Sequence, residues 1–195
     1  MAERVGVRPR EADPGLGRIY DLSLKRQAEL VQRQLTAPLV IKGPKQDEYE
    51  LGPQGLLGWY LHHGNNHETC LHEWSVWTHD IRSVSGKHRH QGGPVLFVLE
   101  GEGYTTMNGE RFDWEEGDLV MIPLMPEQVE HQHFNTRAEG SSKWLAFVYM
   151  PFFNALGGEV VQRSVDPEWA EKSGRSTYGD AGVAVEHVEQ KNESA

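Results

Sequence analysis

Histidines fall at alternate positions in two strand-like runs of this chain, His88 and His90 in SGKHRHQGG, and His131 and His133 in EHQHFN. Successive side chains of an extended strand point to opposite faces, so His88 and His90 share a face that Arg89 does not, and His131, His133 and Asn135 share another. A face that buries paired imidazoles is costly unless their nitrogens are satisfied. The chain therefore needs an enclosed β-structure with something inside for imidazole to bind, and neutral imidazole is the commonest side-chain ligand of transition metals. His88, His90 and His131 converging on one divalent metal is the leading expectation.

The rest of the chain supplies strands to build the enclosure. PVLFVLEG, YTTMNGERFDW, DLVMIP and KWLAFVYMPF read as short strands broken by glycine turns, and Asn108-Gly109 is a two-residue hairpin signal. PLVIKG and LLGWYLHH read as strands or strand-like arms ahead of them. Many short strands at regular spacing predict an all-β jelly roll of two packed sheets. In LHEWSVWTHDIRSVSG, Ser75, Trp77, His79 and Ile81 share one face, and Trp74, Val76, Thr78 and Arg82 the other. If the first face points inward, Trp77 walls a substrate pocket; the alternative is plain core.

Outside the barrel, Leu24, Ala28, Val31 and Leu35 recur at helical spacing between about Leu22 and Leu35, with Asp21 or Ser23 as cap and Pro38 as stop. This amphipathic helix packs on its own barrel or on a second subunit. Residues 1 to about 17 read as disordered. The expected division is an N-terminal arm with one helix over 1–50, the barrel over 51–165, and a flexible tail over 166–195.

The stretch HRHQGGPVLFVLEGEG followed by WEEGDLVMIPLMPEQVEHQHFN resembles the two motifs of the cupin superfamily, from Gly86 to Asn135. His88, His90, Gly101, Gly117, His131 and Asn135 occupy matching places. The resemblance implies a double-stranded β-helix, the jelly-roll barrel of that family, here with a helical extension. The spacing to Asn135 assigns His131 rather than His133 to the metal. The chain departs from the pattern in three ways: Pro94 stands where the family usually supplies a carboxylate ligand, Arg82 where a glycine precedes the first histidine pair, and Gln128 where a glycine is usual in a lengthened second motif, in which Pro126 is better spaced to His131 than Pro123.

Loss of the acid leaves two readings, a barrel without a metal or a three-histidine site resembling the gentisate, salicylate and β-diketone dioxygenases of that superfamily. Retention of all three imidazoles favours the second. It implies a non-haem iron(II) dioxygenase that cleaves a carbon-carbon bond of an oxygenated aromatic or enolisable small molecule, with O2 as co-substrate and nickel, manganese or zinc as alternative metals. His133 is then a proton acceptor or hydrogen-bond donor to substrate, or a core histidine bonded to a carbonyl. Arg82 is a candidate partner for a substrate carboxylate, provided a bulge brings it to the same side as Trp77. A binding barrel without turnover and a sugar isomerase are the alternative functions. Cupin barrels often pair, so a homodimer is expected.

Composition excludes other classes. Nineteen Lys and Arg against 29 Asp and Glu give a net charge of -10, which opposes nucleic-acid binding. No apolar run reaches membrane-spanning length, and MAERVGVRPREADPG has no secretory apolar segment, so a cytoplasmic location is expected. Cys70 is the single cysteine, which rules out an intrachain disulfide. A zinc site from His63, His67 and Cys70 is disfavoured because they lie on a Gly-Asn-Asn loop with no second ligand pair.

Overall fold

The computed structural model describes residues 18–64 and 69–176. The expected disordered segment before Arg18, the end of the expected tail from 177, and His67 lie outside them. The chain divides into two units, one comprising residues 1–39 with 68–70 and the other the remainder.

The first unit holds helix α1 (Ile19–Thr36), close to the span its periodicity predicts. Its cap differs from expectation. The helix starts one turn earlier, after Arg18, so Asp21 is already inside, where it accepts from Arg18 Nε at 2.9 Å. Ser23 turns back to donate to the Ile19 carbonyl. The helix stops at Ala37, as expected before Pro38. Among the described residues no side chain of α1 is buried.

Among the described residues, the second unit holds eleven strands: β1 (Glu50–Gly52), β2 (Gly55–Leu61), β3 (Trp74–Ile81), β4 (His88–His90), β5 (Val95–Glu100), β6 (Glu102–Met107), β7 (Glu110–Glu115), β8 (Leu119–Met121), β9 (Val129–Asn135), β10 (Ser142–Tyr149) and β11 (Val161–Gln162). They form two antiparallel sheets, ordered β1-β2-β3-β10-β5-β8 and β11-β4-β9-β6-β7. This is the two-sheet all-β architecture that the strand pattern predicts. Between the sheets lies a core of Ile81, Leu96, Val98, Trp114, Val120, Ile122, Val129, Trp144 and Ala146, with Trp77 and Met107 packed against it.

Turn chemistry fixes the register that matters. Asn108 and Gly109 take φ of 49° and 90° between β6 and β7, a left-handed pair that suits asparagine and glycine and matches the twist of a hairpin. β6 then pairs with β9 so that Thr105 faces His133, and β9 pairs with β4 so that His131 faces His88. Gln128, which stands just before β9, also has positive φ, at 69°.

Among the described residues, two short α-helices follow in this unit, α2 (Met150–Ala155) and α3 (Pro167–Ser173). α3 lies where a flexible tail is expected. It forms because the Asp166 carboxylate accepts from Trp169 N, Pro167 opens the first turn, and Gly174 closes the last at φ 70°.

Candidate metal centre

A cavity of about 450 Å³ opens among residues of both sheets, and His88, His90 and His131 sit together on its wall. Their ligand-capable nitrogens all lie within 4.8 Å of one another. Strand parity puts His88 and His90 on the same face of β4, with Arg89 on the other; the cross-strand pairing of His88 with His131 brings in the third ring. The ring centroids stand 4.2 Å apart for His88 and His131, and 4.6 Å apart for His90 and His131.

Each ring is oriented by its own backbone. Nδ1 of His88 lies 3.3 Å from the Gly86 carbonyl, Nδ1 of His90 2.5 Å from that of Gln91, and Nδ1 of His131 3.1 Å from that of Val129. A carbonyl only accepts, so each Nδ1 must carry the proton. Burial first, then repulsion between neighbouring imidazoles, pushes the pKa of His88 and His131 well below the usual histidine value; burial lowers that of His90. The rings are thus neutral, and a neutral imidazole with hydrogen on Nδ1 has a lone pair on Nε2. Three such lone pairs at one buried point are the donor set a divalent transition metal takes, each held by the kind of backbone contact that orients metal-binding histidine. No carboxylate joins them among the described residues. Pro94 is buried in the same wall.

His133 reaches the cavity one step along β9 and is 2% exposed. Its Nδ1 stands 2.8 Å from Thr105 Oγ1, which accepts from Trp114 Nε1 at 2.9 Å. Thr105 has a single hydroxyl hydrogen and is fully buried, so that hydrogen goes to His133 Nδ1. The proton of neutral His133 then sits on Nε2. In this arrangement Nε2 has a hydrogen to offer the cavity, and burial, then His131, holds the pKa of His133 well below normal.

Trp77 lines the cavity, tilted against Trp59 at 5.3 Å between ring centroids. Arg82 does not reach it. Its guanidinium lies outside, bonded to both oxygens of Glu168 on α3 at 2.8 and 2.7 Å. No bulge turns the strand there, and β3 ends at Ile81. Asn135 bonds the Arg82 and Gly140 carbonyls and accepts from Ser142 Oγ, a brace for the end of β9.

His79 is the cavity residue that sequence reasoning passed over. It is 2% exposed, 4.8 Å from Trp144 and 6.3 Å from His133 between ring centroids, and burial pulls its pKa to about 3. The signal was its shared parity with Trp77. Gly55, at φ 135°, makes room for it, since a Cβ there would stand 2.3 Å from His79 Nε2.

Two antiparallel sheets around three converging imidazoles define a β-barrel with a metal-binding site. Residues 76–148 match the family described as the cupin domain, the resemblance that the motifs carry. A gentisate 1,2-dioxygenase of a Streptomyces species is 32% identical over 108 residues, covering 52% of this chain and 29% of that protein. The chain thus spans under a third of the length of that relative. A variant of the salicylate 1,2-dioxygenase of Pseudoaminobacter salicylatoxidans is 22% identical over 53% of this chain and 29% of the other, with a TM-score of 0.42. A Cupin 2 conserved barrel domain protein of Salinispora arenicola is 16% identical over 62% of this chain and 97% of the other, with a TM-score of 0.48. Among the described residues no helix is long and apolar enough to cross a membrane.

Proposed function

We propose that this protein is a non-haem iron(II) dioxygenase that cleaves a carbon-carbon bond of an oxygenated aromatic or enolisable small molecule, consuming one O2 per substrate with both oxygen atoms ending in product. The observation that carries this reading is the set of three buried, neutral imidazoles whose Nδ1 protons are held by carbonyls, leaving three Nε2 lone pairs at one point of a ligand-sized cavity. The 32% identity to a gentisate 1,2-dioxygenase over 108 residues supports the reaction class.

His88, His90 and His131 would hold the metal. Iron(II) held by them would supply Lewis-acid and redox chemistry toward substrate and O2. The chain does the rest. His133 offers a fixed Nε2–H to a substrate oxygen, a donor that needs no proton exchange. Trp77 and Trp59 give a flat ring something to lie against, and the apolar wall excludes water.

The test is metal content and O2 consumption measured together. Protein purified and then loaded with iron(II) is expected to bind one metal per chain and consume O2 with at least one compound from a panel of gentisate, salicylate, catechol and 1,3-diketones. Stoichiometric metal with no uptake across that panel would refute the dioxygenase reading. His90→Ala is expected to lose the metal, while His133→Ala keeps it and turns over more slowly.

A further inference from the structure

Resting on the metal centre of that reading, we infer that Gln162 sets ligand specificity: its side-chain carbonyl is a fixed hydrogen-bond acceptor beside the three imidazoles and takes an un-ionised N–H or O–H of a ligand bound there. Register places it. β11 pairs with β4 so that Gln162 stands opposite His88, and β9 pairs with β4 on the other side so that His131 stands opposite the same histidine. Residues directly opposite in an antiparallel pair share a face, with Cβ atoms about 5 Å apart. Gln162, His88 and His131 therefore form one row across adjacent strands, and all of them line the cavity.

The polarity of Gln162 follows from counting hydrogens. Its amide nitrogen donates to the Ser164 carbonyl at 2.7 Å and to the Lys87 carbonyl at 3.3 Å. Carbonyls only accept, so this end of the amide is the NH2 and not the oxygen. Both its hydrogens are committed. Gly86 leaves room for the grip, since a Cβ there would stand 2.6 Å from the Gln162 nitrogen. Rotating the amide would set its oxygen against two carbonyls, so Oε1 is the end left to the cavity, an acceptor that does not turn into a donor.

Other neutral polar groups of the wall are differently placed. Ser75 Oγ is engaged by His63, with Nδ1 at 2.8 Å and the backbone nitrogen at 3.3 Å. Gln54 also lines the cavity, but among the described residues no hydrogen bond holds its side-chain amide, which turns to offer either end and so discriminates nothing. His133 has the polarity opposite to that of Gln162, an Nε2–H whose position Thr105 fixes. One fixed donor on β9 and one fixed acceptor on β11 thus flank the metal-binding rings. A chelator with one ionised oxygen and one retained N–H or O–H matches both in a single orientation, its anion toward His133 and its hydrogen toward Gln162. A fully ionised chelator sets a second acceptor against Oε1, a mismatch that works against it.

Acetohydroxamate and N-methylacetohydroxamate are the probes, because each chelates through two oxygens as a monoanion and only the first carries an N–H. Protein loaded with nickel(II) is titrated with both by calorimetry, and each affinity is divided by that of the same chelator for aqueous nickel(II) at the same pH. The parent is expected to favour acetohydroxamate about tenfold, the effect of one buried hydrogen bond. Gln162→Leu and Gln162→Met, which keep bulk and lose the acceptor, are expected to bind nickel(II) still and to bring the ratio to roughly one. A ratio near one in the parent overturns the inference, and so does a preference that survives in both variants and reflects only the size of the methyl group. Loss of nickel(II) from both variants overturns it too, since the amide would then hold the site together and not read its ligand. O2 uptake by the iron(II) protein is a separate readout: the expected ratios without uptake across the aromatic and diketone panel keep this role of Gln162 and remove the dioxygenase, whereas uptake with a parent ratio near one keeps the dioxygenase and removes the role of Gln162.

Discussion

Thr105→Val is the sharpest probe of how the cavity is held. The substitution keeps the shape of the side chain and removes one hydroxyl, the oxygen that accepts from Trp114 Nε1 at 2.9 Å and donates to His133 Nδ1 at 2.8 Å. Thr105, Trp114 and His133 are 0, 5 and 2% exposed, so no water replaces it. Each stranded buried group costs about 1–3 kcal/mol, and the valine methyl recovers part of that, which leaves a loss of about 3 kcal/mol. For a chain of this size a loss of that order lowers Tm by about 6–12 °C. The control is Thr106→Val, one residue along β6 on its other face, expected to stay within about 0.5 kcal/mol. Thermal unfolding of the metal-free proteins reads both. Long-range nitrogen-proton correlation spectra of His133 read the second consequence: hydrogen on Nε2 in the parent, and a mixture of tautomers in Thr105→Val. Metal content is expected to be unchanged. A Thr105→Val protein no less stable than Thr106→Val, or a parent His133 with hydrogen on Nδ1, would refute the hydrogen-bond chain deduced here.

Burial holds the His79 pKa at about 3 against the ordinary 6.5, so between those values the unfolded chain binds a proton that the folded one does not. Its contribution to stability is therefore full above about pH 6.5 and is lost as pH falls toward 3, about 2 kcal/mol of it by pH 5; His88, His131 and His133 are shifted the same way and add to the loss. Urea midpoints of the metal-free protein are expected to fall steeply from pH 7 to 5, and a flat profile would contradict the buried neutral histidines. Addition of nickel(II) at a hundred times its dissociation constant should restore about 2.7 kcal/mol at pH 7 in the same assay, and none in His90→Ala. Gln128→Gly is expected to be neutral or stabilising by up to about 1 kcal/mol in thermal unfolding, because φ at that position is 69° and glycine carries no Cβ penalty there. Arg82→Ala, which removes a pair whose side chains are 51 and 28% exposed, should cost under about 1 kcal/mol and leave the affinity for every chelator in the panel unaltered.

What the chain displays in its sequence is local. Alternation put His88 with His90 and His131 with His133, and the pleat of β4 and β9 preserves it. Asn108-Gly109 announced its hairpin because those residues tolerate the backbone conformation the turn demands. The features that were not legible depend on contacts between distant segments. β3 has aromatic or large residues on both faces, so composition could not say that the His79 face is the inner one; its pairing with β2 and β10 does. The partner of His133 lies 28 residues away on β6, set by a register no periodicity reports. Helix α3 is only seven residues long, too short for a pattern, and is tied by Glu168 to Arg82, 86 residues earlier. The same tie holds outside the cavity Arg82, which the sequence offered as a pocket residue only if a bulge turned it to the side of Trp77.

Pro94 links the departures from the family pattern into one electrostatic argument. A carboxylate at that place would cancel one of the two charges of a divalent ion; proline cancels none, and neither do three neutral imidazoles or the surrounding tryptophans. In so apolar a wall an uncompensated dication is expensive, and the compensation has to enter with the ligand. A ligand that binds as a monoanion, its proton already lost to bulk water, supplies that compensation.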